Sequence, residues 1–262
     1  MDLRRGGTRW IARLLRTLGA LWLLLAGCAS AGDLQVAPTV LEFGDGQHAQ
    51  ALWLTNSGTA PLRAQVRVRH WNQHDAAEQL LASDALLASP AIVEIAAGQR
   101  QLVRIVRAQS TSVDREDAFR LIVDELPGAA PGRSHSGLKF LLRYSIPVFV
   151  LPPGFTPQLE RDAPTATHPA QLHGQLRRRD GAAELTLHNV GQQRIRISQL
   201  IWLEPSGQQV ALTPGLLGYV LAGQRMRWNL PLSRPLTAGG TLQAKLNDDP
   251  DPRPLPQLDT EH

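Results

Sequence analysis

Cysteine is almost absent: Cys28 is the only one among 262 residues. A single thiol excludes an intrachain disulfide, so packing and hydrogen bonding alone must hold the fold. Aromatic residues are sparse, at 5%. The sequence motifs of catalysis are missing as well, with no glycine-rich phosphate loop and no Gly-x-Ser-x-Gly elbow. The eight histidines are scattered, and only His70 and His74 have a metal-like separation. That separation converges on one face only in a helix, whereas His70 ends a predicted strand, so it supports no metal site. Asp114, Glu116, Asp117, Asp124 and Glu125 supply carboxylates, but nothing pairs them with a nucleophile. The expectation is a protein without enzyme activity, metal or cofactor.

A basic body is also lacking, although the chain has 27 basic against 23 acidic residues. The excess sits at the start. Arg4, Arg5, Arg9, Arg13 and Arg16 precede an apolar run over residues 18–26, and Gly27, Cys28, Ala29, Ser30 and Ala31 close it. A charged region, a short apolar core and an Ala-x-Ala site mark residues 1–31 as a signal peptide. The apolar run is too short to span a bilayer comfortably. Five of the basic residues and one of the acidic, Asp2, lie in this leader, so the remainder has 22 of each sign and no net charge. A neutral body argues against nucleic acid as a partner, and the leader predicts an exported protein. Residues 25–28, Leu-Ala-Gly-Cys, also match a lipobox, so Cys28 is a candidate lipidation site or is removed with the leader. Membrane contact is expected only if Cys28 is lipidated. Its tether to the first predicted strand would then reach at most roughly 20 Å.

What is present is a succession of short strands. Residues 34–36 and 39–43 form one interrupted at Pro38, and residues 50–55 form another, stopped by Asn56-Ser57-Gly58. In residues 62–69, Leu62, Ala64, Val66 and Val68 alternate with Arg63, Gln65, Arg67 and Arg69, which predicts a core face and a solvated basic face. The stretch 76–88 has room for a helical turn. Strands follow at 89–95, 101–107 and 119–126, with a Gly/Pro/Ser loop at 128–137. About seven strands at this spacing predict an immunoglobulin-like sandwich over residues 32–151. Past Pro152-Pro153-Gly154, strands at 184–188, 195–202 and 242–246 predict a second, smaller β-sandwich over residues 152–249. Residues 250–262 carry four prolines and no apolar periodicity, and read as a disordered tail. Among the tryptophans, Trp53 reads as core. Trp71 and Trp228 border polar segments and would make a sugar-binding platform if exposed in a groove.

The most informative stretch is residues 138–150, LKFLLRYSIPVFV. Leu138, Phe140, Leu142, Tyr144, Ile146 and Val148 share one parity and form an apolar face. Pro147 has no N–H to give a ladder, which places that end of the strand at a sheet edge. A long apolar edge strand invites aggregation unless it is covered or used for binding.

Several motifs, in order, resemble the PapD-like periplasmic pilus chaperones. They are Ala37-Pro38-Thr39, Leu52-Trp53-Leu54-Thr55-Asn56, Ser89-Pro90, Ala97-Gly98-Gln99 and residues 102–107. The most specific are Asp114-Arg115-Glu116-Asp117-Ala118-Phe119, Asp124-Glu125-Leu126-Pro127 and Ile146-Pro147-Val148-Phe149. The resemblance implies an all-β chain of two immunoglobulin-like sandwiches set at an angle. It implies a chaperone that completes pilin (fimbrial) subunits with its own strand and hands them to an outer-membrane usher. By position, the donor residues would be Leu138, Phe140 and Leu142, extended by Tyr144 and Ile146. The basic pair that holds a subunit's terminal carboxylate in the best-known branch falls on Val40 and Pro147 here, and neither can do so. The Tyr-Ser-Ile-Pro-Val-Phe ending looks closer to the archaic, or alternative, branch. Candidate carboxylate anchors are then Arg120 and Arg143, followed by Arg104 and Lys139, since a guanidinium fork suits a carboxylate. The rival reading is a structural or adhesive surface protein built from the same sandwiches.

Overall fold

The computed structural model describes residues 33–108, 113–127, 140–160, 171–179, 181–255 and 258–261. The expected leader, with Cys28, lies outside the described residues, as do Leu138 and Lys139. Among the described residues no helix is long and apolar enough to cross a membrane.

Strands account for nearly all the regular structure. In chain order they are β1 (Leu34–Ala37), β2 (Leu41–Phe43), β3 (Ala49–Asn56), β4 (Leu62–His74), β5 (Ala77–Ala82), β6 (Leu86–Ser89), β7 (Ile92–Ile95), β8 (Arg100–Arg107), β9 (Asp117–Leu126) and β10 (Arg143–Val150) in the first half. The second half contains β11 (Leu172–Arg179), β12 (Ala182–Asn189), β13 (Ile195–Leu203), β14 (Gln209–Val220), β15 (Arg225–Pro231), β16 (Thr241–Leu246), β17 (Arg253–Pro254) and β18 (Leu258–Glu261). The stretch 76–88, which had room for a helical turn, forms β5 and β6 instead.

The first sandwich packs the sheet β1-β3-β8-β6 against the sheet β2-β10-β9-β4-β5, with β7 also on β4. The alternation in β4 does what its sequence dictates: Leu62, Ala64 and Val66 are buried in the core between the sheets, and the arginines face outward. Pro38 separates β1 from β2, and the chain changes sheets there. The second sandwich packs β15-β12-β11-β18 on β14-β13-β16-β17, around a core of Leu185, Leu187, Ile197, Trp202 and Leu246. The two sandwiches belong to one compact unit, Leu34–His262.

Each sandwich uses the same Asn-x-Gly turn to close its core. The buried Asn56 amide donates to the carbonyls of Ala60 and Ile95, while its oxygen accepts from Gly58 N–H. Asn189 repeats this with Gln193, Val220 and Gly191. A short polar side chain thus satisfies backbone groups that would otherwise be buried unpaired.

Two expectations are corrected. Residues 250–255 and 258–261, read as part of a disordered tail, contain two short strands. β17 pairs with β16, Leu255 is buried in the second core, and β18 lies parallel to β11. The open edges of β16 and β11 offer backbone partners that proline-rich composition does not reveal, and residues 258–261 contain no proline. Trp53 is not core either. Leu52 and Leu54 take the inward positions, and Trp53 lies half-buried beneath the Arg100 guanidinium, 4.4 Å from its ring centre.

Candidate functional site

β10 is shorter than the apolar stretch that contains it. It pairs with β9 along its whole length, from Arg143 opposite Asp124 to Val150 opposite Asp117. On its other side β2 reaches only Val148, Phe149 and Val150. Among the described residues, positions 143–147 therefore present an unpaired strand edge, and Pro147 sits at its inner end. Residues 140–142 continue outward without ladder pairing, held by the Glu125 N–H donating to the Leu142 carbonyl at 2.8 Å. On this segment Phe140 is 72% exposed and Leu141 44% exposed.

The apolar parity divides along this stretch. Ile146 is 4% exposed and Val148 fully buried, both inside the first sandwich's own core. Leu142 and Tyr144 are half-buried against the same core, and the Tyr144 hydroxyl donates to the Leu34 carbonyl of β1 at 2.5 Å. The expectation that Ile146 extends the donor face is corrected. An edge strand of a sandwich must contribute its inward side chains to that sandwich, so only the part beyond the core is free to fill another groove.

The outward parity leads into the junction between the sandwiches. Arg143 pairs with Asp124, which also accepts from Arg67 at 2.6 Å. Burial pushes the Asp124 carboxyl upward, but the hydrogen bonds and charges of Arg143 and Arg67 outweigh it and hold the group below its ordinary range. Two rows further in on the same face, Arg120 lies level with Pro147. Its side chain is 15% exposed, stacked 3.7 Å over the Trp71 ring and 5.9 Å from the Tyr219 ring, with Glu78 at 3.9 Å. Burial pulls the guanidinium below its usual pKa, with Glu78 and Tyr219 opposing. A cation so placed has lost water and has one distant, half-exposed carboxylate in return, which is the condition that favours capture of another anion. Trp71, 1% exposed, forms the junction with Phe149, Ala118, Leu151 and Leu221, so it is no sugar platform.

The remaining candidates separate from this site. Arg104 is on β8, in the opposite sheet, and its neighbours Val103 and Ile105 take the inward positions, so it faces away from β10. The junction also contains a cation that no local pattern in the chain singles out. Arg194, just before β13, donates to Glu116 at 2.6 Å and to Glu42, and stacks 3.6 Å over the Phe149 ring. Glu116 belongs to the Asp-Arg-Glu-Asp motif, so that motif's work is to clamp the second sandwich. Arg194 is neutralised there and is no free anchor. His70 contacts Asp117 at 2.8 Å and His74 contacts Asp75, so the metal-like pair is split between two carboxylates.

Comparison with known proteins agrees with this geometry. Residues 33–156 match the family described as pili and flagellar-assembly chaperone, PapD N-terminal domain. Comparison with the curated proteins yields no match. Among solved structures, the chain is similar to the CsuC–CsuE chaperone–tip adhesion subunit pre-assembly complex from archaic chaperone-usher Csu pili of Acinetobacter baumannii. The TM-score is 0.63 and the identity 24%, over 87% of this chain and 99% of the other. The E. coli chaperone DraB aligns with a TM-score of 0.53 and 19% identity, over 81% of this chain and 90% of its own. A structure of the Salmonella enterica SafA pilin in complex with the SafB chaperone aligns with 0.54 and 15%, over 84% and 91%. At these identities the likeness is one of fold, and the proteins concerned are chaperones, not enzymes. Residues 33–156 thus match the PapD N-terminal chaperone domain, and the fold of both sandwiches is that of the solved pilus chaperones.

Proposed function

We propose that the protein is a periplasmic chaperone of pilus subunits, which it holds by strand addition along β10 and passes to an outer-membrane usher. The observation that carries this reading is the unpaired edge at residues 143–147 continuing into exposed Phe140 and Leu141. Backbone groups there would pair with an incomplete subunit, and Phe140, with Leu138 two positions earlier, would fill its groove. Leu142 and Tyr144 would contribute only their exposed parts. Arg120 is the anchor for the subunit's terminal carboxylate, with Arg143 as a more exposed contact nearer the strand's start. Support for the subunit class comes from the related complexes, which contain a tip adhesion subunit and a pilin. Export through cleavage of residues 1–31 puts the protein where such subunits fold.

Replacing Leu138 and Phe140 with aspartate is the direct test, because Phe140 contributes nothing to the core and the fold should survive. A buried aromatic anchor contributes about 1.5–3 kcal/mol, so capture of a co-expressed subunit should fall by at least about tenfold. Arg120→Ala should lower capture of a wild-type subunit and make no difference to one whose C-terminus is extended. A variant pair that co-purifies with subunits at wild-type yield would overturn the reading.

A further inference from the structure

Arg120 has a cross-strand neighbour on each side, and neither supplies a counter-charge. On β4 it faces Arg69, a second cation, and on β10 it faces Pro147, whose side chain is apolar. Like charges directly opposite each other in a sheet repel. The Arg120 side chain lies across the Trp71 ring, on the side of Tyr219. The row beyond Trp71 pairs Gln73 with Glu78 of β5, on the same face. Among the described residues Glu78 is the one carboxylate within ion-pair distance of the guanidinium, at 3.9 Å. Its backbone is fixed and its head group is not. Gln73, opposite it, is bonded to the Tyr219 carbonyl and the Leu221 N–H of the second sandwich. The Glu78 side chain is 44% exposed, and 3.9 Å lies beyond hydrogen-bond length. Asp124, on the same face, makes the contrast. Its carboxylate is 12% exposed and accepts from both Arg67 and Arg143. Asp124 is locked to its cations, whereas Glu78 rests against Arg120 by charge alone.

We propose that Glu78 is a resident carboxylate that neutralises Arg120 in the free protein and yields its position to an incoming one. The inference rests on the proposed holding of a subunit's terminal carboxylate at Arg120, and it gives that step a built-in competitor. A desolvated guanidinium without a counter-ion is costly, and Glu78 offsets part of that cost while no subunit is bound. A carboxylate that reaches the guanidinium at about 2.8 Å makes charge-assisted hydrogen bonds that Glu78 does not make from 3.9 Å. Glu78 then turns into water, where nearly half of its side chain already lies. Its presence lowers the apparent affinity for a foreign carboxylate by the fraction of time that it is seated. An anion with no second foothold competes poorly, whereas a carboxylate at the end of a segment docked along β10 acts at a high effective concentration and displaces Glu78. The site thereby favours the terminus of a docked strand over free carboxylates.

The test is a titration of the full chain with sodium acetate at constant ionic strength, followed by NMR at the Arg120 Nε–H, with Glu78→Gln as the variant. Acetate should bind Glu78→Gln about two- to fivefold more tightly than the unaltered chain, the range expected when an exposed ion pair ceases to compete. The Arg143 Nε–H, whose partner is Asp124, should report the same acetate affinity in both proteins. Acetamide, which has a similar shape and no charge, should move the Arg120 resonance in neither. Equal or weaker acetate binding by Glu78→Gln overturns the proposal, and so does a gain of the same size at Arg143. A response to acetamide as large as that to acetate, or no response to acetate at Arg120 in either protein, overturns it as well. No pilus subunit takes part in these measurements. A failure here therefore leaves strand addition along β10 standing, and a failure of subunit capture leaves the acetate result standing.

Discussion

His70 shows how one side chain sets a pH dependence. Its ring packs edge-on against Phe119 at 5.3 Å, and its Nε2 lies 2.8 Å from Asp117. The hydrogen bond to Asp117 raises its pKa above 6.5, burial opposes this, and the Asp117 charge adds to it. A raised histidine pKa means the folded state binds the proton more tightly than the unfolded chain does. The stabilisation is therefore fully present below the unfolded pKa of about 6.5 and is lost as pH rises through the folded value. Asp117→Asn removes the cause. Urea midpoints measured at about pH 6 and about pH 8.5 should differ less in this variant than in the unaltered protein. An equal difference in both would show that His70 and Asp117 do not contribute. The sequence supplied both residues but gave no sign of their contact, because they meet only once β4 and β9 are paired.

Among the elements, β10 and the β4–β5 hairpin show what periodicity can and cannot deliver. The sequence identified an apolar edge strand correctly from its alternation and from Pro147. It could not say where along that strand the core ends, because Tyr144 and Phe140 have the same parity and similar chemistry. Only the opposing sheet, which reaches Ile146 and fades at Leu142, draws that line. The hairpin was unreadable for a different reason. Its turn residues Asp75 and Ala76 both adopt left-handed backbone, with φ of 52° and 58°. Such turns favour Asn-Gly or Asp-Gly, and alanine gives no turn signal. The conformation is held because the Ala76 carbonyl accepts from the Arg227 N–H of the second sandwich at 3.1 Å. Ala76→Gly relieves the left-handed strain without removing that bond and should stabilise the fold by about 0.5–1 kcal/mol, read as a higher urea midpoint. A lower midpoint would mean that alanine is not strained there.

The whole molecule depends on how the sandwiches are joined. An apolar cluster around Trp71, Phe149 and Leu221 forms the middle of the junction. Beside it, the Gln73 side chain donates to the Tyr219 carbonyl at 2.7 Å and accepts from the Leu221 N–H at 3.0 Å. Arg194 joins Glu42 and Glu116 from the other sandwich, all three nearly buried. Removing the cation leaves two carboxylates facing each other out of water, so Arg194→Met should cost about 3–5 kcal/mol in urea unfolding. A loss below about 1 kcal/mol would place the triad among ordinary surface pairs.

By itself the sequence determined the all-β class, the alternation of β4, the Asn-x-Gly turns and the resemblance borne by the first sandwich. Each of these is local: a two-residue period or a turn residue is decided by neighbours a few positions away. Tertiary structure alone decided the rest. Arg194 meets Glu42 and Glu116 across 152 and 78 positions, and β18 finds an edge formed more than eighty residues earlier. Contacts of that separation depend on which sheets pack and which edges remain open, and no local pattern in the chain encodes the outcome.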